Sequence, residues 1–362
     1  MLRSVTRTPP APPSRRVFLS LGAVTLTGAG LISLTGCGAS GGTAAAATTS
    51  TGTELDDAAV KRAVTSVQAL NTGATTLASG TLPSGATVRI PGATAKLLTR
   101  LIEAHASQLT QLGSSAEPTA TPSATPSANT AEITSPGALA TAEWQTARTA
   151  FGDANGLTPE FALLLYRIAA SCAANADLLR TASHGKAFGP LTPATSTTDA
   201  TTTPTVAATD ASQTPESPQT SIAPDKLTTD ETDALNRLLA GEHAAFYAYP
   251  LVIAHIDAGR KAVAETLWEA HRQQRDELER LLIAAGVEPA QASAAYEVTT
   301  PETTAKAGAL ATLVERRLAG LAIDVIAVAQ DASVKSLAAG TLVVSTRRQA
   351  AWSNKPVAEP GT

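Results

Sequence analysis

From Glu54 onward the chain sets apolar residues three and four positions apart, in segments divided by Pro, Gly, Ser and Thr. That spacing lines one face of a helix. Val60, Val64 and Val67 predict a first helix over 54–79, with Asp56 and Asp57 in its first turn, where the helix dipole favours acids. Pro83, Gly85, Pro91 and Gly92 predict a loop over 81–93. A second helix over 95–112 carries the seam Leu98, Leu101, Ile102, His105, Leu109, Leu112. Two more are expected over 137–152 and 158–181, the latter opened by Thr158 as cap and Pro159 at the first position. The pattern then repeats. Leu227 to about Ile256 predicts a helix that Pro250 should kink or break, and 259–285 predicts another, closed by Gly286. A third opens at Thr300-Pro301-Glu302 and runs to about Ala332, and a fourth spans 334–352. No stretch alternates as a strand does. The expected fold is all-α: antiparallel four-helix bundles, two in tandem.

Between the periodic segments lie tracts of another kind. Residues 37–53 are Ala, Gly, Ser and Thr with hardly any periodicity and predict a flexible tether. Residues 114–136 and 187–226 are rich in Thr, Pro and Ser. The first predicts a disordered insertion within an N-terminal domain, 54–186. The second predicts a linker to a C-terminal bundle, 227–352, which is followed by a short tail, 353–362.

The first 36 residues predict an address. Ser-Arg-Arg-Val-Phe-Leu at 14–19, with Arg15 and Arg16, resembles the twin-arginine export motif. It opens a weakly apolar run that ends in Leu34, Thr35, Gly36 and Cys37, which resembles the lipobox of bacterial lipoproteins. The resemblance implies cleavage before Cys37 and acylation of its thiol. The mature protein would then sit on the outer face of the cytoplasmic membrane, held there through lipid.

Charge and cysteine count narrow the function classes. The formal charge is −4, and without the four arginines of the leader 23 basic residues face 31 acidic ones, a balance of −8. An acidic chain with no basic tract argues against nucleic acid as a partner. With Cys37 lipidated, Cys172 is left alone and no intramolecular disulfide forms. It shares a helical face with Phe161, Leu165, Ile168 and Leu179 and is expected as a packed core thiol.

An internal repeat supports the tandem reading. Leu-Ile-Glu-Ala-His ending at His105 matches Leu-Trp-Glu-Ala-His ending at His271. Gly-Ala-Leu-Ala-Thr from Gly137 recurs from Gly308. The two matches keep the same order and fall on the second and third helices of each half.

Candidate chemistry lies where polar residues interrupt core seams. On the first helix of the last bundle the seam is Leu235, Leu239, Glu242, Phe246, Tyr249. On the second it is Ala264, Leu267, His271, Gln274, Leu278, Leu281. Glu269, two residues from His271, is rotated about 200° away. On the third, Leu310, Val314, Arg317 and Leu321 form the stripe, with Glu315 at its edge. A buried carboxylate is costly unless paired. Glu242, His271, Gln274 and Arg317 are therefore expected to form a buried polar network, with either Glu315 or Arg317 meeting the Glu242–His271 pair. His105 shows no acidic partner and is expected to be a core histidine, while His184, His243 and His255 are expected at the periphery.

Gly241-Glu242-His243-Ala244-Ala245-Phe246-Tyr247-Ala248-Tyr249 and His271-Arg272-Gln273-Gln274-Arg275-Asp276 resemble a ferritin-like domain of unknown function found in actinobacterial lipoproteins. Di-iron members of that superfamily draw a Glu from each of two helices and a Glu-x-x-His from each of the other two. This chain departs from that pattern: it has no Glu-x-x-His, and 334–352 holds no Asp, Glu or His. Glu242, His271 and Glu315 would offer three ligands, enough for a single iron or manganese ion with water but not for a bridged pair. Val67 stands near the position of Glu242 in the first domain. The expectation is a non-catalytic binding or scaffolding protein with degenerate metal ligands and no assigned cofactor. A metal-dependent oxidase is the alternative. A small-ligand pocket at Phe246, Tyr249 and Trp268, a protein partner and a dimer all stay open.

Overall fold

The computed structural model describes residues 47–113, 133–191 and 226–362. Arg15, Arg16, Leu34, Thr35, Gly36 and Cys37 lie outside the described residues, as do most of the expected insertion and linker. The described residues form eight helices: α1 (Ala47–Ser79), α2 (Gly92–Gln111), α3 (Pro136–Ala154), α4 (Pro159–Ala182), α5 (Thr229–His255), α6 (Ala258–Ala284), α7 (Thr304–Val328) and α8 (Ala332–Ser353). The first reaches back into the stretch expected as a tether.

Contacts between helix ends define the topology of the second half. Short turns join α5 to α6 and α7 to α8, so each pair is antiparallel. At the start of α5, Glu231 accepts hydrogen bonds from the backbone N–H groups of Gln330 and Asp331, just past the end of α7, at 2.6 and 3.1 Å. At the other end, the Thr304 hydroxyl donates to the His255 carbonyl at 3.2 Å. Hence α5 and α7 are antiparallel, α6 and α7 run the same way, and residues 285–303 must return along the bundle. This is a four-helix bundle with one long crossover. The return segment is tied down at Ala290, whose N–H donates to Asn236 Oδ1 at 2.7 Å and whose carbonyl accepts from His243 Nε2 at 3.2 Å. His243 is thus no peripheral group; it anchors the crossover.

The first half is built the same way. Asp56 on α1 accepts from the Thr158 N–H and hydroxyl, at 3.1 and 2.9 Å, between α3 and α4. Arg62 pairs with Asp153 near the end of α3 at 3.1 Å. Two expectations change here. Because α1 starts at Ala47, Asp56 sits in the body of the helix as a buried staple rather than facing its dipole. Thr158 occupies the N-cap position without capping, since its hydroxyl goes to Asp56. At Thr228 the cap does form, as a reciprocal box with Glu231.

Pro250 does not end α5. Proline removes the donor for the carbonyl four residues earlier, here that of Phe246. That carbonyl accepts from Trp268 Nε1 on α6 at 3.1 Å instead, so nothing is left unpaired and the helix runs on.

The two bundles are not separate bodies. They share one continuous core in which α4 packs on both α3 and α8, with Ile168, Ala169 and Leu179 among the same cluster as Ala338, Leu342 and Val343. By length and composition α4 could cross a bilayer, but its apolar surface is spent inside this core. The Arg347–Asp177 ion pair, 2.7 Å, adds a link between α8 and α4.

The last residues are docked as well. Val357 is buried; its carbonyl accepts from Ser171 Oγ at 2.6 Å, and Glu359 accepts from Ser107 Oγ at 3.0 Å. Gly361 has φ +83° and lies against Gly320, where a Cβ would fall 2.7 Å from Ile323 Cδ1. The C-terminal residues therefore strap α7 to the first half. Ending the chain at Pro356 should cost about 2–3 kcal/mol, from lost Val357 burial and an orphaned Ser171 hydroxyl. The urea midpoint would fall accordingly, and an unchanged midpoint would show that the strap contributes nothing.

Candidate functional site

The site grows out of four fully buried polar side chains in the second bundle: Glu242 and Tyr249 on α5, His271 on α6 and Glu315 on α7. Each occupies a helical position flanked one or two turns away by core residues, so the backbone delivers it to the bundle axis. Leu239 and Ala245 bracket Glu242; Ala264 and Leu278 lie two turns either side of His271; Ala311 and Leu318 bracket Glu315.

The imidazole lies between the two carboxylates. His271 Nδ1 is 2.8 Å from Glu242 Oε2, and Nε2 is 3.2 Å from Glu315 Oε1. Tyr249 Oη donates to the same Glu315 oxygen at 2.5 Å, and Trp352 Nε1 on α8 donates to Tyr249 Oη at 3.2 Å. A neutral imidazole has one donor, and carboxylates only accept. Two such bonds, made to ionised carboxylates, require the ring to carry both protons. The chain of donors is then Trp352 to Tyr249 to Glu315, with His271 donating to Glu315 and to Glu242. All four helices of the bundle contribute.

The electrostatics follow. Burial works to depress the His271 pKa, but hydrogen bonds to Glu242 and Glu315, and their charges, outweigh it and raise it from 6.5 to about 9. Burial also pushes the Tyr249 phenol well up, as do the charge and hydrogen bond of Glu315; the Arg348 charge opposes this. Tyr249 therefore stays a donor at neutral pH.

The other expected members separate. Gln274 is half-buried and donates to Thr341 Oγ1 on α8 at 2.6 Å, apart from the imidazole. Arg317 is exposed and belongs to no buried network. Its neighbours Glu315 and Leu318 take the inward positions, so the stripe drawn through Arg317 was rotated from the true core face. Phe246 and Trp268 stack on each other at 5.1 Å, and Tyr249 is fully enclosed, so these three do not line a common pocket. Glu269 faces away, paired with Arg272 at 2.5 Å.

The first bundle holds an abridged copy. His105 Nε2 lies 2.7 Å from Glu143 Oε1, both fully buried, so the histidine expected to lack an acidic partner has one. A signal was present: Ala140, Glu143, Ala147 and Ala150 are spaced as one core face. The shared pentapeptide hid it, because aligning Gly137 with Gly308 sets Glu143 against Val314 instead of Glu315. Gln108 Nε2 donates to Ser171 on the fourth helix at 2.6 Å, as Gln274 does to Thr341. The matching staples Asp56 and Glu231 fix the register of the first helices and bring Val67, fully buried, to the place of Glu242. The consequence is visible: His105 Nδ1 is buried with no hydrogen-bond partner. Cys172, close by and fully buried, has its thiol pushed well up by burial and by Glu143, which keeps it protonated.

Glu242, His271 and Glu315 do not fit a shared metal ion as arranged. The ring nitrogens that would ligate are each directed at a carboxylate on opposite edges of the imidazole, so the three groups converge on no common point. Among the described residues no group of three His, Cys, Asp or Glu is disposed to hold one.

Fold and site together define an all-α protein of two packed four-helix bundles, each centred on a buried His–Glu pair. Residues 234–362, which span the second bundle and the strap, match a family described as a domain of unknown function, DUF4439. A solved structure, a conserved hypothetical protein, rv2844, from Mycobacterium tuberculosis, is 28% identical over 36% of this chain and 98% of that one, with a TM-score of 0.35. No curated protein matches.

The raised His271 pKa makes stability depend on pH. Protonated His271 favours the folded state, so its contribution is complete below about 6.5 and is lost as pH rises through about 9. The size is on the order of 3 kcal/mol. Urea titrations of the wild type and His271→Gln should differ most near pH 6 and converge toward pH 10. A constant gap would mean that the ring is neutral in the folded protein. Glu242→Val, which copies the first bundle, should cost roughly 3–5 kcal/mol at pH 7 by leaving Nδ1 unpaired.

Proposed function

We propose that this chain is a lipid-anchored protein of the cell envelope whose ferritin-like bundles act in binding or scaffolding rather than catalysis, the ancestral metal positions having become a hydrogen-bond network. The leader motifs at Arg15, Arg16 and Leu34–Cys37 support the anchoring. The single long crossover of the second bundle is the connection that ferritin-like folds use, and it supports that relationship. The observation that carries the non-catalytic reading is the imidazole of His271, both of whose nitrogens are taken by carboxylates. A ring so engaged has no lone pair for a metal and no free position for proton exchange with a substrate.

A second reading, a metal-dependent oxidase using iron or manganese, has one observation in its favour. Glu242 Oε1 and Glu315 Oε2 are buried without hydrogen-bond partners, and such oxygens are costly unless something satisfies them.

Elemental analysis of protein purified from its native membrane separates the two. The scaffold reading expects no stoichiometric iron or manganese and a Glu242→Ala variant that loses stability alone. One equivalent of metal, lost in Glu242→Ala, would overturn it. For the anchor, Cys37→Ser should move the protein from the membrane to the soluble fraction; a variant still bound to membrane would refute lipid attachment at that residue.

A further inference from the structure

A cavity of about 450 Å³ opens where α6 and α8 of the second bundle meet α4 of the first. Its walls are apolar on one side, from Val263, Leu267, Val344, Ala351 and Trp352, and carry Arg260, Arg347 and Arg348 with Asp177 on the other. These charges are not equivalent. Arg347 is committed: it pairs with Asp177 at 2.7 Å and donates to the carbonyls of Phe188 and Gly189. Arg260 stacks over the Trp352 ring at 4.3 Å and donates to the Trp352 carbonyl at 3.3 Å. No carboxylate among the described residues pairs with Arg260 or Arg348. Arg348 Nη1 is buried with no hydrogen-bond partner at all.

A buried guanidinium nitrogen without an acceptor is a liability, and it is relieved by an anion. The walls around it reward an apolar body. We propose that this cavity is a binding site for an alkyl carboxylate, with the head group on Arg348, flanked by Arg260, and the chain along Leu267, Val263 and the Trp352 ring. A planar, singly charged head matches one free guanidinium fork. Asp177, at the same rim, disfavours a dianion. Val263 is 54% exposed, a large apolar side chain left open at the cavity edge, and chain contact would cover it.

The site lies next to the buried network without being part of it. Trp352 presents its ring to Arg260 and its indole N–H to Tyr249, and the Arg348 charge acts on the Tyr249 phenol. Neutralising Arg348 removes part of the positive field that opposes the rise of the Tyr249 pKa.

Isothermal titration of the full chain with decanoate tests this, with decanol and decyl phosphate as comparison ligands. Decanoate should bind with one-to-one stoichiometry. Arg348→Met, which keeps the apolar stem, should weaken it at least tenfold, and Val263→Asp at the open rim should weaken it by a similar factor. Val263 is exposed and Arg348 half-buried, and circular dichroism melts of both variants check that they fold. Decanol should bind at least tenfold more weakly than decanoate. Equal binding of decanol, indifference to Arg348→Met, preference for decyl phosphate, or no decanoate binding would each overturn the assignment. None of these outcomes bears on metal content or membrane attachment, so the proposal stands or falls apart from the scaffold reading.

Discussion

The second bundle is held in register by one imidazolium between two carboxylates. Hydrophobic contacts alone would tolerate small slides of one Ala-rich helix along another, because small side chains interlock weakly and offer many near-equivalent packings. A buried charge does not tolerate them. Moving His271 by one turn relative to Glu242 or Glu315 would strand a charged group in the core, at a cost of several kcal/mol. The network thus penalises wrong registers more than it rewards the right one. Each helix supplies at least one member, so the constraint reaches all four: Glu242 and Tyr249 from α5, His271 from α6, Glu315 from α7 and Trp352 from α8.

Much of this was legible in the chain. Glu242 and His271 each interrupt an apolar seam, and the strong seams of α5 and α6 give their direction. On α7 the inward face is rotated slightly from the stripe that the sequence suggests. Leu310, Val314, Arg317 and Leu321 make a plausible stripe, but α7 is apolar around most of its circumference, as a helix packed on both α5 and α8 must be. With so little contrast, periodicity locates the inward face poorly. The decision between Glu315 and Arg317 then rested on charge chemistry that sequence alone does not resolve. Glu143 was missed for a related reason: the best local match between the halves is out of register with the structural one. Pro250 was misjudged because its rescuer, the Trp268 indole, comes from another helix. The joining of the two halves through α4 and α8 was not foreseen either, since nothing in a helical seam names the partner it packs on.

The two halves make an internal comparison. Both keep the staple from the first helix to the turn before the fourth, the His–Glu pair between second and third (His105–Glu143 and His271–Glu315), and the Gln-to-hydroxyl bond between second and fourth. These pairs are non-local, and each ties helices that are not joined by a short turn. What the first half lacks is the acid and the tyrosine on its first helix, where Val67 and Ala74 stand. Val67 fills the first of those spaces with apolar volume, and His105 Nδ1 is left without a partner. The pieces common to both are therefore the ones that set topology, while the pieces that differ are those that surround the histidine with charge and donors. That division separates a structural role for the pair from whatever the fuller network adds.

The shared core changes what kind of surface this protein presents. Two bundles on a free linker would sample many orientations and could offer only the surface of each. Here α4 packs against α8, Arg347 bridges to Asp177, and the C-terminal strap crosses from α7 to α2 and α4. The seam between the bundles is then a fixed surface, able to hold a cavity walled by both. Fixed walls matter for affinity, because a ligand entering a preformed site does not have to order it. The cavity at Arg260, Arg348 and Trp352 is walled mostly by α6 and α8 and takes Asp177 from the first half, and its wall residue Trp352 is also the last donor of the buried chain. Register inside the second bundle and the shape of the seam outside it are thus set by the same side chain. A change that loosens the Glu242–His271–Glu315 core should be felt at the seam before it is felt at the far ends of the molecule.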